Sequence, residues 1–176
     1  MEKLLQGQDI ALVTDAGTPG ISDPGEDLVK LCYEQGIAVT ALPGAAACIL
    51  GLTLSGLPAR SFAFEGFLPM DTKRRKERLE SLPKETRTIV LYEAPHRLAR
   101  TLGELALVLG SSRKVSLCRE LTKCHETVYR TTLENLLEQI KNQEDKGECV
   151  LVIEGKSAQE LKEEQQAQWE EMEIEE

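Results

Sequence analysis

Val13-Thr14-Asp15-Ala16-Gly17-Thr18-Pro19-Gly20-Ile21-Ser22-Asp23-Pro24-Gly25 follows on the apolar run Ile10-Ala11-Leu12-Val13 and leads into a helix-like segment, Glu26 to Gln35. Glycine, proline and small polar residues at the end of a strand make poor core material and a good ligand cradle. Open α/β sheets bind ligands in the crevice beyond the carboxyl ends of their strands. Glycine lets backbone approach a ligand, and the short polar side chains supply oriented hydrogen bonds. An ordinary strand-to-helix loop is the competing reading of the spacing.

Outward from this stretch, the elements alternate. Residues 9–14 read as a buried strand and 26–35 as a helix stopped by Gly36. Ile37 to Leu42 reads as a second strand, ended by Pro43-Gly44, and Ala45 to Ser55 as a small-residue helix stopped by Gly56. Strand–helix–strand–helix is the rhythm of a parallel sheet covered by helices. Past a linker at 57–61, Phe62 to Pro69 reads as an aromatic-rich strand, 71–82 as a basic helix, 88–92 as a strand and the segment to about Leu109 as a helix. Strand 114–120, a short strand or turn at 127–132, helix 133–142 and strand 147–154 complete the pattern. The expected division is 1–58, 59–155 and an acidic tail, 156–176. Two strands with two helices are too little for a stable α/β domain. The first domain is therefore expected to be incomplete, with its sheet finished by another chain or by sequence preceding Met1.

Composition excludes several classes. The chain has 176 residues, is 41% hydrophobic and 29% charged, and contains no apolar run of the roughly 20 residues a bilayer span needs. Its first eight residues lack the apolar core of a secretory signal. The net charge of −9 is uneven, because residues 154–176 hold nine Glu and two Lys. The body is thus nearly neutral and compatible with a nucleic-acid partner. The tail reads as a solvated Glu/Gln-rich helix or a disordered end, with Trp169, Met172 and Ile174 as a weak apolar stripe. Five scattered cysteines without a paired spacing predict reduced thiols in a cytoplasmic protein and no metal.

The ordered set Asp15-Ala16-Gly17-Thr18-Pro19, Ser22-Asp23-Pro24-Gly25, Leu42-Pro43-Gly44-Ala45, Glu65-Gly66-Phe67-Leu68-Pro69, Tyr92-Glu93-Ala94-Pro95-His96-Arg97, Arg119-Glu120-Leu121-Thr122-Lys123 with Glu126, and Gly147-Glu148 resembles the tetrapyrrole methylase superfamily. Within it, the set is similar to the ribosomal RNA small subunit methyltransferase I family. The resemblance implies two α/β domains with S-adenosylmethionine held between them. It also implies 2′-O-methylation of a cytidine ribose in small-subunit (16S) rRNA by a cytoplasmic homodimer. Family members carry a strand and a Gly-rich loop ahead of the point matching Met1, so the chain is expected to be a fragment of doubtful activity. By family position, Asp15, Ala16, Gly17, Thr18, Ile21, Ala46, Ala47, Tyr92, Glu120 and Leu121 line the cofactor.

A ribose hydroxyl needs help losing its proton. Glu120, Lys123 and His96 are the candidates for that role, with a surface ion-pair network as the competing reading of the first two. Lys73, Arg74, Arg75, Lys76 and Arg97 are the candidate RNA contacts, although such a basic run also suits a solvated helix face. A corrin or porphyrin methyltransferase, and a non-catalytic RNA-binding or dimerisation piece, are the alternative functions.

Overall fold

Ile89-Val90-Leu91-Tyr92 and Cys149-Val150-Leu151-Val152-Ile153 are unbroken apolar runs. A strand buried on one face alternates; a strand buried on both does not. Both segments are buried strands at the middle of a five-stranded mixed sheet. The computed structural model describes residues 1–141 and 146–174, without the side chains of 164 and 168–174. The apolar stripe expected at Trp169, Met172 and Ile174, and residue 142 of the expected helix 133–142, lie outside what is described.

The strands are β1 (Phe62–Phe67), β2 (Thr88–Glu93), β3 (Lys114–Arg119), β4 (Thr127–Thr132) and β5 (Cys149–Ile153), in spatial order β1-β2-β5-β3-β4. β1 and β2 are parallel, and β5 runs antiparallel to both its neighbours, β2 and β3. β1, β2 and β3 therefore end together along one edge of the sheet. The helices are α1 (Glu2–Leu5), α2 (Glu26–Glu34), α3 (Ala47–Ser55), α4 (Thr72–Ser81), α5 (Pro95–Leu109), α6 (Leu133–Ile140) and α7 (Ala158–Ile174).

The sheet has a core on each face. On one, Ile89, Leu91, Leu117, Leu151 and Ile153 meet Leu79 of α4, Leu98, Leu102 and Leu105 of α5, and Leu133, Leu136 and Ile140 of α6. These helical residues recur at the three- and four-residue spacing of one face. On the other, Val90, Cys118, Val150 and Val152 meet Cys48 and Leu52 of α3. α3 comes close because Gly51 faces β5, where an added Cβ would lie 2.8 Å from Val150 Cγ1. Local signals set the helix ends: Asp71 caps Arg74 N–H of α4 at 2.9 Å, Pro95 opens α5, and Ser157 and Glu160 bond each other's backbone N–H at the start of α7.

The strands expected at 9–14 and 37–42 are not strands. Neither pairs with another segment among the described residues. An extended segment becomes a strand only when its N–H and C=O groups find a ladder, and no other segment offers one here. Their side chains stay exposed as a result, with Val13 at 80% and Leu42 at 84%. Among the described residues, eleven of the fourteen exposed large hydrophobics lie within the first 50 positions. No described helix is long and apolar enough to cross a membrane.

α7 is tied to the body by Arg113, whose guanidinium meets Glu160 at 2.5 Å and the Gly155 carbonyl at 3.0 Å. Arg113, then the Ser157 N–H, pull the Glu160 carboxyl from 4.5 down to about 2. A carboxyl depressed by folding stabilises fully above its unfolded pKa, and that contribution disappears as pH falls through the folded one. The first turn of α7 should therefore loosen between pH 4.5 and 2. An NMR titration of Glu160 should show the low midpoint, and Arg113→Met should move it back towards 4.5.

Candidate functional site at the strand ends

Two loops from the first 50 residues converge on the edge where β1, β2 and β3 end. The 15–25 loop and the 43–48 loop interlock first with each other. Thr18 Oγ1 donates to the Ala45 carbonyl at 3.0 Å, and Thr14 Oγ1 closes the turn on the Ala16 carbonyl at 3.1 Å. Both loops then reach the sheet. Ser22 Oγ sits over Gly66 of β1, where a Cβ would lie within 2.9 Å of it. Gly66 has φ of +60° at a register shift in the β1–β2 ladder, so the strand bends there and only glycine leaves the space. The 43–48 loop ends in α3, whose Cys48 N–H donates to the Tyr92 phenol at 2.9 Å. Asp23 lies near enough to add to the upward push on the Tyr92 pKa, behind the larger effects of burial and Cys48.

Among the described residues, Ser22 (φ 59°), Glu120 (φ 52°) and Thr122 (φ 65°) are the non-glycine residues in the left-handed region. All three sit in loops at this edge. Such conformations cost of order 1–3 kcal/mol each and persist where surrounding structure enforces them. Glu120 follows β3 directly. Its Oε1 accepts from the Glu148 N–H at 2.8 Å and from Lys123 Nζ at 3.1 Å, and Lys123 also meets Glu148 Oε2 at 3.1 Å. Gly147 packs against it so closely that a Cβ would lie 2.7 Å from Glu120 Cγ. The Glu148 N–H, then Lys123, hold the Glu120 carboxyl below its ordinary range. Glu148, then Glu120, raise Lys123. The carboxylate stays ionised and the ammonium stays charged, so neither is tuned for proton exchange near neutrality.

The remaining residues expected at the site fall into two groups. Asp15, Ala16, Gly17 and Ile21 are exposed on the first loop, Ala47 is exposed at the start of α3, Thr18 and Ala46 are half-buried, and Leu121 packs against the same core as Tyr92. His96 is exposed at the second position of α5. The basic helix divides. Lys73, Arg74 and Lys76 face outward, but Arg75 is only 5% exposed. Its guanidinium reaches Glu104 at 2.6 Å and Thr101 Oγ1 at 2.8 Å, so its charge is satisfied inside the protein and does not face a phosphate. Thr101 in turn donates to buried Glu93 at 2.6 Å. Arg97 also turns inward, with Nη2 2.9 Å from Glu93 Oε1 and a contact to Met70 Sδ. Phe64 and Phe67, absent from the expected site, stand edge-on to the Tyr92 ring at centroid distances of 5.0 and 5.6 Å. Their only sequence signal is the quoted motif around Gly66. No group of three or more potential metal ligands occurs among the described residues.

Residues 1–137 match the family described as Tetrapyrrole (Corrin/Porphyrin) Methylases. The chain belongs to this family. "Ribosomal RNA small subunit methyltransferase I" of Haemophilus influenzae is 49% identical over 158 residues, 89% of this chain and 56% of that protein. The protein of the same name from Synechocystis sp. is 51% identical over 155 residues, 88% of this chain and 56% of its own length. The chain thus spans little more than half of these relatives. Among solved structures, the methyltransferase CobJ has a TM-score of 0.65 at 17% identity, covering 88% of this chain and 67% of that one. The uroporphyrin-III C-methyl transferase of Thermus thermophilus complexed with S-adenyl homocysteine gives 0.52 at 20% identity, covering 78% and 62%. These two likenesses carry the family's fold.

Burial separates the cations of α4 by role. Arg75→Ala removes the buried guanidinium bound by Glu104 and Thr101, leaves Glu104 with Arg100 alone, and should cost about 2 kcal/mol of stability in urea unfolding. Arg74→Ala, at the surface, should change it by no more than about 0.5 kcal/mol.

Proposed function

We propose that this protein transfers a methyl group from S-adenosylmethionine to the ribose 2′-oxygen of a cytidine in small-subunit (16S) ribosomal RNA. The observation that carries the reading is the convergence of the 15–25 and 43–48 loops on Tyr92. Family membership and relatives named as ribosomal RNA methyltransferases support the acceptor. A protein of the same fold solved with S-adenyl homocysteine is in keeping with the donor.

The residues suit that donor. Asp15, Ala16, Gly17, Thr18 and Ile21 on one loop, and Ala46 and Ala47 on the next, present backbone groups and small side chains. Tyr92, Glu120 and Leu121 stand across from them. Half-exposed Phe67 and the ionised Glu120 carboxylate complement a cationic group. When bound, the donor supplies an electrophilic methyl carbon: the 2′-oxygen gains the methyl, the carbon–sulfur bond breaks, and the hydroxyl proton departs. The protein's work is alignment, which supplies about 7–11 kcal/mol in well-oriented reactions. Glu120 serves as an anionic acceptor that orients the hydroxyl. Lys123 remains a cation beside it, which leaves exposed His96 as the candidate to receive the proton. Lys73, Arg74 and Lys76 contact RNA phosphates, while Arg75 and Arg97 brace the helices behind them. The protein acts in the cytoplasm as a homodimer.

The test is incubation of this chain with methyl-labelled S-adenosylmethionine and unmodified small ribosomal subunits. Label should appear in an alkali-resistant cytidine-containing dinucleotide, because a methylated 2′-oxygen cannot cleave the adjoining phosphodiester. Label on a base, or on a porphyrin offered in competition, would overturn the proposal. The exposed apolar residues of the first 50 positions favour one other reading, a piece with no donor affinity of its own. Calorimetry with S-adenosylmethionine separates the two.

The phosphate role has its own signature. Each neutralised phosphate contributes to the salt dependence of binding with a slope of about −0.9 per contact on duplex and −0.7 on single strands. Replacing Lys73, Arg74 and Lys76 with Gln should flatten the slope of log affinity against log salt by about 2–3. An unchanged slope would remove α4 from the RNA interface.

A further inference from the structure

We propose that Tyr92 is a positioning residue whose phenol latches the 43–48 loop to the sheet and so fixes that loop as one wall of the proposed methyl-donor cleft. The inference rests on the reading of that cleft given above.

α3 begins without a cap of its own. Its N-cap residue is Ala46, in extended conformation, which has no side-chain acceptor for the first helical N–H groups. Those groups are orphaned in any helix and are normally met by a Ser, Thr, Asp or Asn at that position. Here the acceptor comes from a residue 44 positions away. The Tyr92 oxygen takes the Cys48 N–H at 2.9 Å, and the Cys48 backbone is the second residue of the helix. Burial, then the Cys48 thiol, push the phenol's pKa up, so it remains protonated at every physiological pH.

The ring is held as firmly as the hydroxyl. Phe64 and Phe67 of β1 meet it edge-on from the adjoining strand. On the opposite face of β2, the next residue, Glu93, is 3% exposed and fixed by the Ala94 N–H at 2.8 Å, Thr101 Oγ1 at 2.6 Å and Arg97 Nη2 at 2.9 Å. The end of β2 is therefore clamped from both sides, and the phenol projects from a rigid point. The 43–48 loop is the opposite case. Residues 41–45 are exposed and form no ladder. What fixes that loop is Thr18 on one flank and Tyr92 on the other. Removing the phenol oxygen leaves the aromatic packing intact and releases one flank of the cradle.

The test compares Tyr92→Phe with the unaltered chain by hydrogen exchange and by calorimetry with S-adenosylhomocysteine. Tyr92→Phe should speed exchange of the Cys48 amide by about tenfold, leave the amides of β2 and β5 unchanged, and weaken S-adenosylhomocysteine binding by about tenfold. Phe64→Leu serves as the comparison, since it loosens the same ring but keeps the phenol. It should lower Tm with Cys48 protection and affinity retained. Unchanged Cys48 exchange in Tyr92→Phe would overturn the latch. So would faster exchange with undiminished affinity, or an equal loss of affinity in Phe64→Leu. If the unaltered chain takes up no S-adenosylhomocysteine, the methyl-donor reading falls. The latch is then decided by exchange alone, with acceleration confined to Cys48 upholding it and its absence overturning it.

Discussion

Burial of β2, β5 and β3 on both faces is the constraint from which the arrangement follows. Ile89, Leu91, Leu117 and Leu151 lose essentially all solvent contact against α4, α5 and α6, while Val90, Cys118, Val150 and Val152 do so against α3. A sheet with two apolar faces needs cover on each. The chain supplies three helices from after β1 and one from before it. That helix and the contact of Ser22 with Gly66 link the first 50 residues to the sheet. Because α3 starts at the edge where β1, β2 and β3 end, its docking delivers the 43–48 loop to the same edge. The location of the candidate site is thus a by-product of core packing.

The elements from residue 47 onward were legible in the sequence for this reason. Continuous apolar runs at 89–92 and 149–153 announce doubly buried strands, and Leu98, Leu102 and Leu105 announce a one-sided helix. Segments 9–14 and 37–42 look equally strand-like, yet they form no ladder. Composition reports a segment's preference, whereas a strand is a property of two segments. Their remaining exposure follows from the want of a partner within the described chain, which no local pattern could reveal.

The candidate site was partly legible. The Gly/Pro-rich loop reaches Gly66 and Tyr92, and the Glu120–Lys123 region follows β3 at the same edge of the sheet. The basic run is uniform in charge but not in phase, and Arg75 turns inward. Arg75 and Leu79 are four residues apart on α4 and are its two buried residues, so both lie on the inward face. The pairing of Tyr92 with Cys48, and the approach of Ser22 to Gly66, span 44 positions each. Such contacts depend on the complete chain path and have no short-range signature.

The distribution of thiols has a practical consequence. Cys32, Cys48, Cys118 and Cys149 are buried, and Cys124 is exposed. Cys124 also lies in the 120–126 turn beside the Glu120–Lys123–Glu148 cluster. Burial, before any other influence, pushes the Cys118 and Cys149 thiols up, away from the reactive thiolate. A gentle maleimide treatment of the unaltered protein therefore installs one dye on the 120–126 turn, giving a fluorescent gauge of that turn without any engineered cysteine.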